Sequence, residues 1–233
     1  MRYTYKEYNA VAEVNSFKPL AGGVSEYHAI IHVEPQGELF TEQMRRLTMA
    51  EKALRDMAEL RDAKVVFKRY FLSDATNQAP LINDDDKCTV SYIQQPPLDG
   101  SKVALWIYML EGTDIEYGGD ELNSTIVRHN GYEHIWTMGM TTSNGGSFAQ
   151  TEILLENYEE LLKERYAANI ADNCVRTWFF VRDVDTNYEG LVVARRENFD
   201  RNGLTRETHY IASTGIGGSP ADTKALVQLG SYA

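Results

Sequence analysis

Two segments of similar sequence constrain the fold of this chain more than any other feature. Residues 65–74 read VVFKRYFLSD and residues 174–183 read CVRTWFFVRD, an offset of 174 − 65 = 109 positions. Both are rich in Val, Phe and other residues that favour strands, and both end at Asp, a common turn residue. The pattern predicts one similar strand in each half of the chain.

The sequence on either side of these segments matches as well. Residues 40–60 and 148–168 place apolar side chains at three- and four-residue steps, which predicts two amphipathic helices. Strand-like stretches precede the helices at 27–34 and 132–141. Downstream, CTVSYIQQPP at 88–97 and THYIASTGIG at 208–217 share a Tyr-Ile pair, and a further strand follows each, at 103–110 and 225–233. The same order of strands and helices therefore occurs twice.

We predict an α+β fold of two tandem domains, 1–112 and 124–233, joined by the acidic, Gly-rich segment 113–123. The alternative is that helix-strand patterns recur by chance, as they do in any α/β protein. Helices of this number cover one face of each mixed sheet, so the other face needs a sister domain or another chain. This predicts a homo-oligomer, or a chain that lacks a further unit.

Composition excludes several classes of protein. The chain has 34 acidic residues and 23 Lys plus Arg, a net charge of −11, which disfavours nucleic acid as a partner. Its two cysteines, Cys88 and Cys174, provide neither a disulfide framework nor a Cys-rich zinc site. The sequence has no signal peptide and no apolar run of membrane-spanning length. These features predict a cytoplasmic protein that does not enter membranes.

The densest polar segment is 187–219, and it contains four arginines in an otherwise acidic chain: Arg195, Arg196, Arg201 and Arg206. A Ser-Thr-Gly run follows directly after a predicted strand. Arginine binds carboxylates bidentately, and hydroxyls with backbone amides in a Gly turn suit a second oxyanion. The segment predicts a pocket for a small anionic ligand. The alternative is a solvated loop in which Gly215, Gly217 and Gly218 only form a turn.

The strand at 174–182 adds a second indication. Alternation places Arg176, Trp178, Phe180 and Arg182 on one face, a combination that does not suit an ordinary core. That face is either exposed to solvent or part of an interface with a polar ligand.

Other polar groups are weaker candidates. His28 and His32 lie four positions apart on one strand face, but the sequence places no third zinc ligand. The run Asp84 to Asp86 lacks the spaced ligands of a calcium loop, so a solvated loop is expected. Ser213 lacks the G-x-S-x-G pattern of a hydrolase nucleophile, and no orienting acid accompanies His209. We expect no metal and no cofactor.

Together, the second helix, VRTWFFVRD, the Ser-Thr-Gly run and the last strand ALVQLGSYA resemble the YjgF/RidA (L-PSP) superfamily. The resemblance covers most of 124–233 and, more loosely, 27–110. It implies a chorismate-mutase-like α+β unit, three of which form a trimer with ligand sites between them. Within the superfamily, ARRENF and IASTGIG are most similar to FkbO-type chorismatases, which hydrolyse the enolpyruvyl ether of chorismate.

The resemblance has departures that bear on activity. The enamine/imine deaminases of the superfamily carry a carboxylate-gripping Arg within P-A-R-S-T-V-G, where this chain has Ala212-Ser213-Thr214. The acidic positions of their last strand are replaced by Gln228 and Gly230. Deaminase activity is therefore disfavoured. The chorismatases that the chain resembles have a further RidA-like unit that supplies the catalytic acid, so we expect an N-terminal portion of a longer protein or a member without that unit.

The chorismatase resemblance implies these roles for residues of the second domain. Arg196 anchors the substrate, with Arg176 or Arg206 as a second anchor. Ser213, Thr214 and the Gly215 amide hold the other carboxylate or a hydroxyl, and Tyr210 or Trp178 packs on the ring. The catalytic acid is not assigned. The alternative functions are a non-catalytic small-carboxylate-binding or assembly module and, less favoured, the deaminase.

Overall fold

The first half of the chain folds as a mixed sheet with one main helix, in a computed structural model that describes residues 1–118 and 123–233. This unit comprises Met1–His134. Its strands are β1 (Arg2–Tyr5), β2 (Ala10–Phe17), β3 (Ser25–Val33), β4 (Lys64–Leu72), β5 (Thr89–Gln94), β6 (Val103–Glu111), β7 (Asp114–Tyr117) and β8 (Ser124–His129). Its helices are α1 (Phe40–Arg55) and the short α2 (Ala75–Gln78), with 3₁₀ turns at Lys6–Tyr8 and Ala79–Leu81.

Within this unit, six strands lie side by side in the order β1-β2-β3-β6-β4-β5. Among these six strands only β4 and β5 pair in parallel, and the other neighbours are antiparallel; β7 and β8 also pair antiparallel. Helix α1 packs on β2, β3 and β6 through residues that are fully buried, among them Leu47 and Leu54. One face of the sheet is therefore covered by α1, as its amphipathic pattern predicts.

The second unit comprises Ile135–Ala233. Its elements are β9 (Tyr132–Thr141), α3 (Ser147–Tyr166), α4 (Ile170–Asn173), β10 (Arg176–Val181), α5 (Val184–Arg201), β11 (Ala212–Gly217), β12 (Ser219–Pro220) and β13 (Val227–Tyr232). Within this unit, four strands lie side by side in the order β11-β10-β13-β9, with β10 and β11 parallel and the other neighbours among the four antiparallel.

The core of the second unit lies between its sheet and its two long helices. Phe179 and Val181 of β10 are fully buried with Leu155 of α3 and Leu191 of α5. Because side chains alternate along a strand, Arg176 and Trp178 lie on the opposite face of β10, as the sequence predicts.

The predicted mixed α+β fold is confirmed. The strand order β3-β6-β4-β5 in the first unit corresponds to β9-β13-β10-β11 in the second. In both, the last two strands of the series pair in parallel and the others pair antiparallel. The helix after the central strand differs, because α2 has 4 residues and α5 has 18.

The predicted match of Tyr-Ile pairs is wrong in register. Tyr92 lies opposite Tyr70, and Gly215 lies opposite Phe179, which is 109 positions after Tyr70. The residue equivalent to Tyr92 is thus Gly215, an offset of 215 − 92 = 123, whereas the Tyr-Ile match paired Tyr92 with Tyr210. Tyr92 and Tyr210 are the same residue type, but the hydrogen-bonding register of the strands shows that they do not occupy equivalent positions.

The segment 113–123, predicted to be an irregular linker, contains strand β7. Residues 119–122 of it lie outside the described residues. Of the helices that the structure describes, none is both long and apolar enough to cross a membrane.

The expectation of a solvated loop at Asp84 to Asp86 is wrong. The Lys68 ammonium on β4 contacts Asp84 Oδ1 at 2.9 Å, Asp86 Oδ2 at 2.7 Å and Glu51 Oε1 at 2.8 Å. The side chains of Lys68 and Asp84 are only 4% and 6% exposed. An ammonium that the fold buries must take its acceptors from the protein, so two of the three Asp residues fold inward.

Helices α3 and α5 approach closely at Gly190. A Cβ at that position would lie 2.8 Å from the backbone nitrogen of Phe148 and would also overlap Ser147 Oγ. We expect Gly190→Ala to force the helices apart and to lower the free energy of unfolding by about 2 kcal/mol, a typical cost of overpacking. Urea denaturation measures the change. Gly146→Ala is the control, because a Cβ there meets no atom within 4 Å; equal effects of the two substitutions would contradict this account of the helix contact.

Candidate functional site

The face of the second sheet opposite α3 and α5 carries a group of aromatic rings, which we call the ring ladder: Trp136, Trp178 and Tyr232. The rings of Trp136 and Tyr232 stack with centroids 4.3 Å apart, and those of Trp136 and Trp178 are 6.2 Å apart. Gly230, which lies beside Trp178 in the sheet, has no side chain to separate the rings. All three rings are half-buried. The ladder therefore offers flat apolar surface outside the unit's own core.

Arg176 adds a positive charge to the ladder. It lies in register with Tyr232 on one side and Ala212 on the other. Its guanidinium carbon is 4.9 Å from the centre of the Trp178 ring, a cation–π distance. Its Nη2 donates to Thr214 Oγ1 at 3.0 Å.

The guanidinium of Arg176 has donors to spare. Its Nε is buried and has no hydrogen-bond partner among the residues that the structure describes. No carboxylate within the described parts of the chain pairs with it, whereas Arg45, Arg55 and Arg128 all have carboxylate partners. Buried donors are usually satisfied, so the unpaired Nε singles out Arg176 and the rings beside it as the candidate site.

The structure brings together three of the predicted site residues: Arg176, Trp178 and Thr214. Ser213 and Gly215 belong to the same strand, β11, but face the other side of the sheet, towards α5. There Ser213 Oγ accepts from Thr177 Oγ1 at 2.8 Å and from Arg195 Nη1 at 3.2 Å. Ser213 and Thr214, which the resemblance assigns to the same ligand group, therefore point to opposite faces of the sheet.

The expected Gly turn is also wrong. Gly215 and Gly217 lie within strand β11, and neither has a positive φ. Both positions need glycine because a side chain there would collide with helix α5. A Cβ on Gly215 would lie 2.6 Å from Cε2 of Tyr188, and one on Gly217 would lie 3.0 Å from Cγ2 of Val184. The two glycines let α5 lie close to the sheet.

Three predicted site residues are not brought to the ladder by any recorded contact. Arg196 is exposed on α5, and Arg206 and Tyr210 are exposed in the segment between α5 and β11. Tyr210 is 68% exposed. None of the three makes a side-chain hydrogen bond or ion pair with the rest of the described chain. Sequence reasoning preferred Arg196 to Arg195, and it missed Trp136 and Tyr232, whose alternation on adjacent strands was the available signal.

The histidines have local structural contacts. Trp106 Nε1 donates to His28 Nδ1 at 3.2 Å, and burial lowers the pKa of His28. His209 Nε2 lies 2.8 Å from the carbonyl oxygen of Ala171. Among the described residues, no three His, Cys, Asp or Glu side chains come together as a metal site.

A chorismatase of known structure matches nearly the whole chain. It covers 94% of this chain and 78% of its own, with a TM-score of 0.59 and 11% sequence identity. This chain has the fold of that chorismatase. The expected likeness to a chorismatase is confirmed at the level of the fold.

Shorter proteins of the YjgF group match about half of this chain. NMB1025 of Neisseria meningitidis, a member of the YjgF protein family, covers 52% of this chain and 93% of its own at 20% identity and a TM-score of 0.40. The YjgF gene product of E. coli covers 43% and 79% at 15% identity and a TM-score of 0.36. No protein-family model and no curated protein sequence matches the chain.

Proposed function

We propose that this protein binds chorismate or a related small cyclic carboxylate on the ring ladder and hydrolyses its enolpyruvyl ether. The observation that carries the proposal is the guanidinium of Arg176, which has a buried, unpartnered Nε and lies over the ring of Trp178. A guanidinium binds a carboxylate through two parallel hydrogen bonds, and the flat rings suit an unsaturated carbon ring. Thr214 provides a hydroxyl for a further polar group of the ligand.

The position of the carboxylate-binding Arg in the deaminases of the superfamily also supports Arg176 as the residue that binds the substrate carboxylate. The Arg that grips the substrate carboxylate in the deaminases is replaced here by Ala212. Arg176 lies directly opposite Ala212 in the parallel pair of β10 and β11. Strand β10 thus places a guanidinium beside the position at which the deaminase motif has its Arg.

The proposed reaction consumes one water molecule. A proton adds to the methylene carbon of the enolpyruvyl ether, which leaves an oxocarbenium-like carbon. Water attacks that carbon, and the resulting hemiketal breaks its bond to the ring oxygen to give pyruvate and a ring alcohol. The carboxylate held by Arg176 keeps the ether in one orientation during these steps.

The proposed hydrolysis needs a general acid that protonates the methylene carbon, whereas binding alone does not. Strands β10, β11 and β13 contain no Asp, Glu or His. Strand β9, which carries Trp136, has His134 two positions earlier and therefore on the same face. Because three of the four strands offer no carboxyl or imidazole proton, the second candidate is a module that binds a small carboxylate without catalysis.

One assay separates the two candidates. We expect the protein to bind chorismate in calorimetry and to release pyruvate, measured by coupling to lactate dehydrogenase and NADH. Binding without pyruvate would support the non-catalytic module. Absence of both would overturn the proposed function in either form.

A further inference from the structure

Arg195 is a partly buried guanidinium for which the described chain records no carboxylate partner. It is half-buried on α5, and the one hydrogen bond recorded for its side chain in the described chain runs from Nη1 to Ser213 Oγ. Burial lowers the pKa of Arg195. Taking a positive charge partly out of water without a counter-charge costs free energy, which a bound anion would offset. Arg195 therefore indicates an anion that the chain itself does not supply.

The backbone next to Arg195 has donors that face away from the sheet. Strand β11 is the last strand of its sheet in the described chain. The amide of Ala212 donates to Val175 O and the amide of Gly218 to Val181 O, so both point towards β10. Because amides alternate in direction along a strand, those of Ser213 and Gly215 point to the outer edge. An anion at this edge meets two N–H groups.

Helix α5 places a phenol beside the same edge. Tyr188 and Arg195 are seven positions apart, two turns of helix, and so lie on one face of α5. The ring of Tyr188 lies over Gly215, where a Cβ would be 2.6 Å from Cε2. Tyr188 is 38% exposed, so a ligand from solution can reach its edge. One guanidinium, one hydroxyl, two amides and one phenol thus surround a short stretch of β11.

We propose that the outer edge of β11 beneath α5 binds a carboxylate, with Arg195 and the Ser213 hydroxyl on one side and the Gly215 amide and Tyr188 on the other. The ligand is a small monocarboxylic acid or the terminal carboxylate of an extended peptide, since either presents the same anion to a strand edge. This site is distinct from the ring ladder, because Ser213 and Thr214 point to opposite faces of the sheet. It does not depend on the proposed hydrolysis.

The test titrates acetate, and separately N-acetyl-Ala-Ala with a free carboxyl end, into ¹⁵N-labelled protein at constant ionic strength. NMR follows the Nε–H signals of the arginines. We expect the Arg195 signal to shift with both probes, and Arg195→Gln to weaken binding at least tenfold. Arg196→Gln, an exposed neighbour on the same helix, is the matched control and should change the affinity less than twofold. Tighter binding of the peptide would identify a chain end as the ligand, and equal affinities a free acid; both support the site.

Three results would overturn the proposal. The first is an equal shift of Arg195 with chloride alone, which would make it a non-specific anion effect. The second is loss of acetate binding in Arg176→Gln, which would assign the carboxylate to the ring ladder. The third is unchanged affinity in Arg195→Gln. If that variant unfolds, Ser213→Ala replaces it, with an expected loss of about threefold. If the protein binds acetate but not chorismate, the proposed function is overturned and the carboxylate site at β11 is still supported.

Discussion

Arg176→Gln is expected to weaken the binding of chorismate about 30-fold or more. The substitution removes the charge-assisted hydrogen bonds to the substrate carboxylate, which contribute about 2 kcal/mol or more at a partly buried site. Gln keeps a donor for Thr214 Oγ1, so the strand pairing of β10 and β11 should survive. Isothermal calorimetry with the wild type and the variant measures the change.

The matched control is Arg196→Gln. Arg196 is exposed on α5 and should leave chorismate affinity within about twofold. If Arg196→Gln lost as much affinity as Arg176→Gln, the anchor preferred from sequence would be correct and the ring ladder would be the wrong site. Circular dichroism of both variants shows whether a loss of binding reflects a loss of fold.

Lys68→Met is expected to destabilise the protein by about 3–5 kcal/mol, the usual cost of removing one partner from a buried ion pair. The change leaves the carboxylates of Glu51, Asp84 and Asp86 close together without the ammonium that joins them. Lys64→Met is the matched control, because Lys64 is exposed at the start of the same strand. Urea denaturation gives both free energies. Equal, small effects of the two variants would contradict a stabilising role for the Lys68 cluster.

The same cluster predicts how stability depends on pH. Burial alone would lower the pKa of Lys68, but Glu51, Asp84 and Asp86 raise it overall. The stabilisation from this shift is complete below the unfolded pKa of about 10.4 and is lost as pH rises through the raised folded value. Burial alone would raise the pKa of Asp86, but hydrogen bonds from Arg55 and Lys68 lower it. That stabilisation is present above about pH 4 and is lost as pH falls through the lowered folded value. Wild type should therefore lose more stability than Lys68→Met at both extremes.

The repeated elements were predictable from sequence because each depends on a local pattern. The apolar spacing at 148–168 predicts α3, and the alternation at 176–181 predicts which side chains of β10 face the helices. Both patterns follow from the geometry of one element, without knowledge of its neighbours. The fold class and the two faces of the second sheet follow from them.

The details of the site were less predictable because they depend on distant neighbours. IASTGIG is rich in Gly, which usually indicates a turn, and only the position of Tyr188 above Gly215 explains why a strand needs Gly there. Arg195 and Arg196 are adjacent in sequence but about 100° apart around α5, and the spacing of Tyr188, Leu191 and Arg195 was the signal that separates them. Asp84 is 16 positions from Lys68, so no local pattern shows that its carboxylate is buried.

The most direct test of the ring ladder follows the three indole N–H signals of the protein, those of Trp106, Trp136 and Trp178, during a titration with chorismate. Single Trp→Phe variants assign the signals. Binding on the ladder predicts that the Trp136 and Trp178 signals shift together along one saturable curve. Saturable binding of chorismate that leaves both signals in place, or that moves Trp106 alone, would contradict the account.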